Sequence, residues 1–362
     1  MLTSSMLCPA WVSMFLSGTQ CGESDRLWRN PYQGHWISIS KMNSLSKESV
    51  TLVTIAENGE TQRVDNFLFK HLKGVPKSHI YRILRSGEVR VNSKRVQACY
   101  KLQLGDKLRI PPVRVAATMV PRTGNAPVIP RFLDHVIYED DALLVINKPS
   151  GMAVHGGSGI SVGVVEQLRR ERPDAKFIEL VHRLDRETSG VLMLAKKRSA
   201  LVKLHQALRE GQLEKRYYVL VKGVWHNPKQ HVKLSLHKYL TADGERRVNV
   251  DEEGKTAHTI FHLVQNWSSF SLLEAELKTG RTHQIRVHLA HLGFPIAGDD
   301  KYGDFTLNKE LSKRGLKRMF LHARRLVIPH PLTGEILELE APLPPELQSF
   351  IDNLTRTETA SV

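Results

Sequence analysis

The chain has 362 residues, 41% hydrophobic and 25% charged, which is ordinary for a globular protein and enough for two domains with substantial cores. Lys and Arg number 52 against 37 Asp and Glu, a formal net charge of +15 that favours a polyanionic partner, nucleic acid before an anionic membrane. Three scattered cysteines, Cys8, Cys21 and Cys99, argue against a disulfide framework and a zinc site and suit a reducing cytoplasm, and no stretch has the length and apolarity of a membrane span.

Residues 1–48 show no sustained periodicity and read as a disordered tail, with Met42 as a candidate alternative start. The apolar run Ala10 to Leu16 is short and lacks a preceding basic region, so it makes a poor signal peptide. From 49 to 112 a compact basic unit is expected. A strand at Thr51 to Ile55 leads into a helix with Val64, Phe67, Leu68 and Leu72 at helical spacing. Pro76 opens a second helix that buries Ile80, Ile83 and Leu84 and ends at Gly87. Lys77, His79, Arg82 and Arg85 fall mainly on its other faces, where Lys77, Arg82 and Arg85 are candidates for RNA-backbone contact. Val89 and Val91 alternate before a turn at Asn92-Ser93-Lys94, and a last strand runs from Lys107 to Ile110. The proline-rich stretch 113–130 reads as a linker.

The second domain is expected over 131–356. Val136 to Tyr138 and Leu143 to Ile146 are strand-like, and Asn147-Lys148-Pro149-Ser150-Gly151 follows. The glycine run from Gly156 to Gly159 could cradle a phosphate, but it lacks the Gly-Lys-Ser/Thr ending of a nucleotide-binding loop. Apolar residues then run up to Val181 and resume at Val191, with a polar loop between them that carries Asp185 bracketed by Arg183 and Arg186. Two neighbouring guanidiniums favour an ionised carboxylate, and an ionised, fixed aspartate serves as nucleophile or base. The same arrangement also suits a plain structural ion pair that tethers a loop.

Ser199 to Glu210 reads as an amphipathic helix and Lys215 to Val221 as a strand. Further strands are expected at Val232 to Leu236, Thr256 to Val264, Phe270 to Leu277 and Arg318 to Ile328. In Thr279-Gly280-Arg281-Thr282-His283-Gln284-Ile285-Arg286-Val287-His288, Thr282 is placed to cap a helix running to about Leu292, with Arg286 beside a buried stripe of Ile285, Leu289 and Leu292. His288 and His291 could share a metal, but no third ligand is evident, so none is expected. Leu343-Pro344-Pro345 opens a last helix ending near Leu354.

The string His182-Arg183-Leu184-Asp185-Arg186-Glu187-Thr188-Ser189-Gly190, together with the Thr279 to His288 run, resembles the two signatures of the RluA family of RNA pseudouridine synthases, a branch that modifies ribosomal and some transfer RNA uridines. Arg63-Val64-Asp65-Asn66-Phe67-Leu68, Ser86-Gly87-Glu88-Val89-Arg90-Val91-Asn92 and Leu104-Gly105-Asp106 resemble the small RNA-binding domain named after a small-subunit ribosomal protein. The resemblance implies an α+β protein: a small N-terminal α/β RNA-binding domain, then a larger mixed, mostly antiparallel β-sheet synthase domain with flanking helices.

It also implies site-specific isomerisation of uridine to pseudouridine, with no cofactor, through base flipping and a catalytic Asp185. Arg286 would hold Asp185 ionised and aimed, and Tyr217, in preference to its neighbour Tyr218, would stack on or orient the uracil. Arg183 would enter the space left by the base or bind phosphate there, Leu184 and Ile285 would line the pocket, and Lys148 would meet the RNA backbone. The expected partner is large-subunit (23S) ribosomal RNA or its precursor, met by a cytoplasmic monomer with no membrane role. Transfer RNA as substrate, a catalytically idle RNA-binding or ribosome-assembly protein, and a base hydrolase that releases free uracil remain the alternatives.

Overall fold

The structure, a computed structural model, describes residues 49–72, 74–113, 131–156, 162–242 and 244–359, together with the backbone of two paired two-residue strands, Leu27–Trp28 and Ile37–Ser38. The rest of the expected tail with Met42, most of the proline-rich linker and residues 157–161 of the glycine run lie outside the described residues. The chain divides into two compact units, described separately.

In the smaller unit, β1 (Thr51–Thr54) pairs with β4 (Lys107–Ile110), which also pairs with β2 (Arg90–Val91) of the hairpin β2–β3 (Lys94–Arg95). The hairpin turn places Asn92 and Ser93 at φ +49° and +66°, the left-handed pair that a two-residue turn needs to match strand twist. Asn92 suits the position because its side chain reaches across, donating to Asp106 at 2.7 Å and accepting the Lys107 amide at 2.9 Å. Helices α1 (Val64–His71) and α2 (Lys77–Arg85) bury Val64, Phe67 and Leu68 and Ile80, Ile83 and Leu84, the stripes expected from their spacing.

The larger unit is one eleven-stranded sheet. Its strands are β5 (Val136–Glu139), β6 (Leu143–Lys148), β7 (Glu179–Leu180), β8 (Ser189–Ala195), β9 (Glu214–Lys222), β10 (Lys229–Leu240), β11 (Arg246–Val250), β12 (Lys255–Asn266), β13 (Phe270–Leu277), β14 (Leu321–Pro329) and β15 (Ile336–Glu340). The spatial order is β11-β10-β12-β13-β9-β14-β8-β6-β5, with β15 on β14 and β7 on β8. Every seam among the described strands is antiparallel except β8 against β14, which is parallel at Ser189–His322 and Gly190–Ala323.

All seven residues of β8 are buried, because both faces of the sheet are covered there. Leu192 and Leu194 enter one core with Ile146, Tyr217 and Phe261, whereas Val191, Met193 and Ala195 enter another with Leu201 and Leu204 of α4 (Arg198–Arg209). A strand covered on both sides loses the polar half of its alternation and reads as a continuous apolar run. A third core, around Leu220, Phe320, Leu347 and Phe350, seats α6 (Phe305–Lys313) and α7 (Pro345–Thr359). The unit also contains α3 (Val164–Glu171), which the sequence reading did not anticipate, as it did not anticipate α6, β11 and β15.

The helix after β13, α5, runs from Gln284 to His291 and differs from expectation at its start. Thr282 does not cap it. His283 occupies the N-cap with φ +52°, and the side-chain oxygen of Gln284 turns back to accept the Arg281 amide at 2.9 Å and the Thr279 hydroxyl at 2.8 Å. The last helix also continues past Leu354 to Thr359.

Candidate active site

The Asp185 loop connects β7 to β8, and three groups fix its backbone. Lys148, fully buried, donates its ammonium hydrogens to the carbonyls of Pro149, Met152 and Arg186 at 2.8, 2.9 and 3.0 Å. Ser150 donates its hydroxyl to the Glu187 carbonyl at 2.7 Å. Gly190, at φ +113°, lets β14 approach so closely that an added Cβ would lie 2.1 Å from the Ala323 carbonyl oxygen, so only glycine fits. Below the loop, His322 Nε2 donates to the Ala341 carbonyl at 3.1 Å, so Nδ1 accepts the Ser189 hydroxyl at 2.9 Å. Ser189 Oγ in turn accepts from Arg318 at 2.7 Å.

Lys148 therefore has a different place from the one expected. Its three donors are spent on backbone carbonyls in the interior and it offers nothing to an RNA backbone; it ties the 149–152 turn to the Asp185 loop. Burial, with the Arg318 charge, pulls its pKa down to about 7, while the carbonyl cage favours the protonated form.

The other six expected residues of the catalytic centre, Arg183, Leu184, Asp185, Tyr217, Ile285 and Arg286, line one cavity of about 540 Å³. Leu184 and Ile285 are buried apolar walls, and Arg183 stands exposed. Tyr217 points into the cavity core. Tyr218, one residue on, points to the other side of the sheet, where the Arg324 guanidinium lies 4.6 Å from its ring centre. Burial first, then the Asp185 charge, raises the Tyr217 phenol above its ordinary pKa, so it is a hydrogen-bond donor at neutral pH.

Three expected partners of Asp185 are not paired with it. Arg186 pairs with Glu187 at 2.7 Å rather than with Asp185, and Arg183 forms no ion pair among the described residues. The Arg286 guanidinium does not grip Asp185 either. Its fork is filled by Asp299, with Nε and Nη2 donating at 2.7 and 2.6 Å, and Asp300 lies at 3.4 Å. This pair is 3% and 1% exposed. Burial works against the Arg286 charge, but Asp299 and then Asp185 outweigh it and raise its pKa. Arg286 thus faces Asp185 through space from a position set by Asp299.

The sequence reading passed over His283, Asp299 and Tyr302. Among the described residues, the basic side chain within 4 Å of the Asp185 carboxylate is that of His283, with Nε2 3.9 Å from Oδ2. The Tyr302 hydroxyl accepts the Val248 amide at 2.9 Å and stands 2.9 Å from His283 Nδ1, which fixes the ring with Nε2 facing Asp185. Burial lowers the His283 pKa despite the opposing pull of Asp185, which keeps the ring neutral. A non-glycine residue at positive φ beside a candidate nucleophile is backbone strain of the kind that collects at working sites. His283 lay within the second signature and Asp299 within the Gly298 to Asp304 stretch, but only the folded chain brings His283 to Asp185 and Asp299 to Arg286.

No group of three or more His, Cys, Asp or Glu is placed to hold a metal among the described residues. His288 is fully buried in α5 with both ring nitrogens unpartnered among the described residues, and His291 is exposed. In the smaller unit, Lys77, Arg82 and Arg85 are exposed on α2. The Lys77 ammonium lies 5.5 Å from the Phe69 ring centre, and Arg82 is 3.4 Å from Glu88.

Comparison with known proteins agrees with this layout. The family model for RNA pseudouridylate synthase matches residues 142–291 and that for the S4 domain matches 62–108. The ribosomal large subunit pseudouridine synthase C of Pasteurella multocida is 48% identical over 322 residues, covering 89% of this chain and 99% of its own. The protein of that name from Escherichia coli K12 is 50% identical over 309 residues, covering 84% of this chain and 97% of its own. The solved structure of human RNA pseudouridylate synthase domain containing 4 is 26% identical, with a TM-score of 0.51, over 62% of this chain and 94% of that one. The α+β fold carries a uridine-isomerising site joined to an RNA-binding domain. The chain belongs to the RNA pseudouridine synthases, and within them to the RluA type.

Proposed function

We propose that this enzyme isomerises specific uridines of large-subunit (23S) ribosomal RNA, with Asp185 as its catalytic carboxylate. The observation that carries the reading is that Asp185 is the single acidic side chain lining a cavity it shares with Tyr217, Ile285 and Arg286. One carboxylate suits the chemistry. The bond from N1 of uracil to the sugar breaks, the base turns, a bond from C5 to the same sugar carbon forms, the C5 proton leaves and N1 gains one. Glycoside hydrolysis would ordinarily want a second carboxylate for an incoming water.

The target base must leave its stack to reach this cavity. Asp185 attacks the sugar or the base, or acts as the base that removes a proton. Tyr217, a buried and protonated phenol, orients the uracil and moves a proton. Arg286 supplies positive charge facing Asp185, Leu184 and Ile285 form the apolar walls, and Arg183 at the exposed rim occupies the space the base has left.

The naming of both bacterial relatives supports the substrate. In the same reading, residues 49–112 bind RNA through Lys77, Arg82 and Arg85, residues 131–356 carry the chemistry, and the enzyme works without a cofactor as a monomer in the cytoplasm. No helix among the described residues is long and apolar enough to cross a membrane.

The test is carbodiimide-adduct primer extension on RNA from cells with and without the gene. Stops lost at defined large-subunit uridines, restored by the wild type but not by Asp185→Asn, are the expected result. Stops lost in transfer RNA alone would overturn the substrate, and turnover retained by Asp185→Asn would overturn the catalytic assignment.

A further inference from the structure

Lys215 stands two residues before Tyr217 on β9, so the two side chains share a face of the sheet, and both line the cavity. Its surroundings are unusual for a lysine. It is partly buried, yet its ammonium makes no hydrogen bond or ion pair among the described residues. Arg183, Arg209 and Lys238 also line the cavity without an ion pair among the described residues, but all three are exposed, and the other bases nearby are matched. Arg216, on the opposite face, pairs with Glu214 and Glu274, Lys278 pairs with Glu276, and Arg286 pairs with Asp299.

His182, whose ring feels the Lys215 charge, is no counter-ion. His182 Nε2 accepts the Met193 amide at 3.1 Å, and burial, with the Lys215 charge second, lowers its pKa to about 4, so the ring is neutral. Burial lowers the Lys215 pKa as well, and no carboxylate among the described residues forms an ion pair with it. An ammonium in that position costs the folded protein free energy, and an arriving anion would remove the cost.

We infer that Lys215 is a substrate-binding residue that holds a phosphodiester group flanking the flipped uridine inside the cavity. The inference rests on the catalytic reading of this cavity and adds to it a fixed anchor for the backbone beside the target base. Exposed bases at the rim contribute long-range attraction, whereas a partly desolvated ammonium makes a short, directional contact that registers one nucleotide.

Binding of a short target RNA is measured with protein carrying Asp185→Asn, alone and combined with Lys215→Met or Lys215→Arg, across a range of salt. Lys215→Met should weaken binding roughly tenfold and reduce the slope of log affinity against log salt by about 0.7, the contribution of one single-strand phosphate. Lys215→Arg should restore both. A neutral methylphosphonate at one linkage beside the target uridine should weaken the Lys215 protein by a similar factor and leave the Lys215→Met protein unaffected.

The urea midpoint of Lys215→Met should equal or exceed that of the parent, since an uncompensated charge has been removed. An unchanged salt slope, losses that multiply at every flanking linkage, or a lowered urea midpoint would each overturn the inference. These readouts need no turnover, so they fail separately from the catalytic assignment of Asp185, which an activity assay decides.

Discussion

Replacing Asp299 by Asn tests whether the buried Arg286–Asp299 pair sets the site. Asp299 does three things: it fills the Arg286 fork, and its Oδ1 also accepts the Lys301 and Tyr302 amides at 2.8 and 3.0 Å. Asn can keep the amide contacts through its oxygen, but it then turns an NH2 toward a guanidinium and removes the charge opposite it. The remaining carboxylates are Asp300 at 3.4 Å, itself 62% exposed, and Asp185 across the cavity. Breaking one partner of such a buried pair costs about 3–5 kcal/mol, because an uncompensated charge stays behind. In a domain of this size that is a fall in thermal midpoint of about 6–20 °C.

The same change frees the guanidinium to swing toward Asp185 and loosens the turn that carries Tyr302, so kcat should fall as well. Thermal and urea unfolding beside single-turnover kinetics give both numbers. An Asp299→Asn protein with the parent midpoint and parent kcat would refute the view that Arg286 is positioned by Asp299 and not by Asp185.

Tyr217→Phe should lower kcat about a hundredfold or more if the phenol moves a proton, whereas Tyr218→Phe, on the opposite face, should leave single-turnover kinetics unchanged. Gly190→Ala should cost more than about 2 kcal/mol in urea unfolding and abolish turnover, since the added methyl meets the Ala323 carbonyl at a φ that L-residues avoid.

Stability should fall as pH drops from 6.5 toward 4. His288 and His322, both fully buried, are lowered to about 4 chiefly by burial, so in this window the unfolded chain takes up protons that the folded chain refuses. At pH 5 the loss is roughly 2 kcal/mol for each of them relative to pH 8. A flat urea midpoint from pH 8 to pH 5 would contradict their neutral burial.

What could be read from the chain, and what could not, follows from how local each cause is. The double-faced burial of β8 showed as an unbroken apolar run, and the period-two alternation of β9 separated Tyr217 from Tyr218. Lys148 misled because Asn-Lys-Pro-Ser-Gly looks like an exposed basic turn, and one of the carbonyls that satisfies it is 38 residues away. Arg286 misled because its partner Asp299 lies beyond the end of its helix, while the resemblance offered Asp185 instead.

The Thr282 cap failed because Gln284 bonds back to residues 279 and 281 and leaves His283 in the left-handed region. Strands β11 and β15 are short edge strands with charged residues such as Arg247, Glu338 and Glu340 on their outward faces, so their periodicity was weak. Only a few inward residues, such as Val248 and Leu339, mark them as strands.

The parallel seam between β8 and β14 also dictates an order of assembly. Ser189 and His322 are 133 residues apart, yet their contact lies directly under the Asp185 loop. A pairing of such separation forms late, after nearer contacts have repaid the entropy of closing the chain. During synthesis the Asp185 signature leaves the ribosome long before the strand that braces it, so a nascent chain can present helices α1 and α2 while its Asp185 loop is still unbraced. Activity would then switch on with completion of the polypeptide, and a truncation before Arg318 would leave a protein that carries Asp185, Tyr217 and Arg286 and does not turn over.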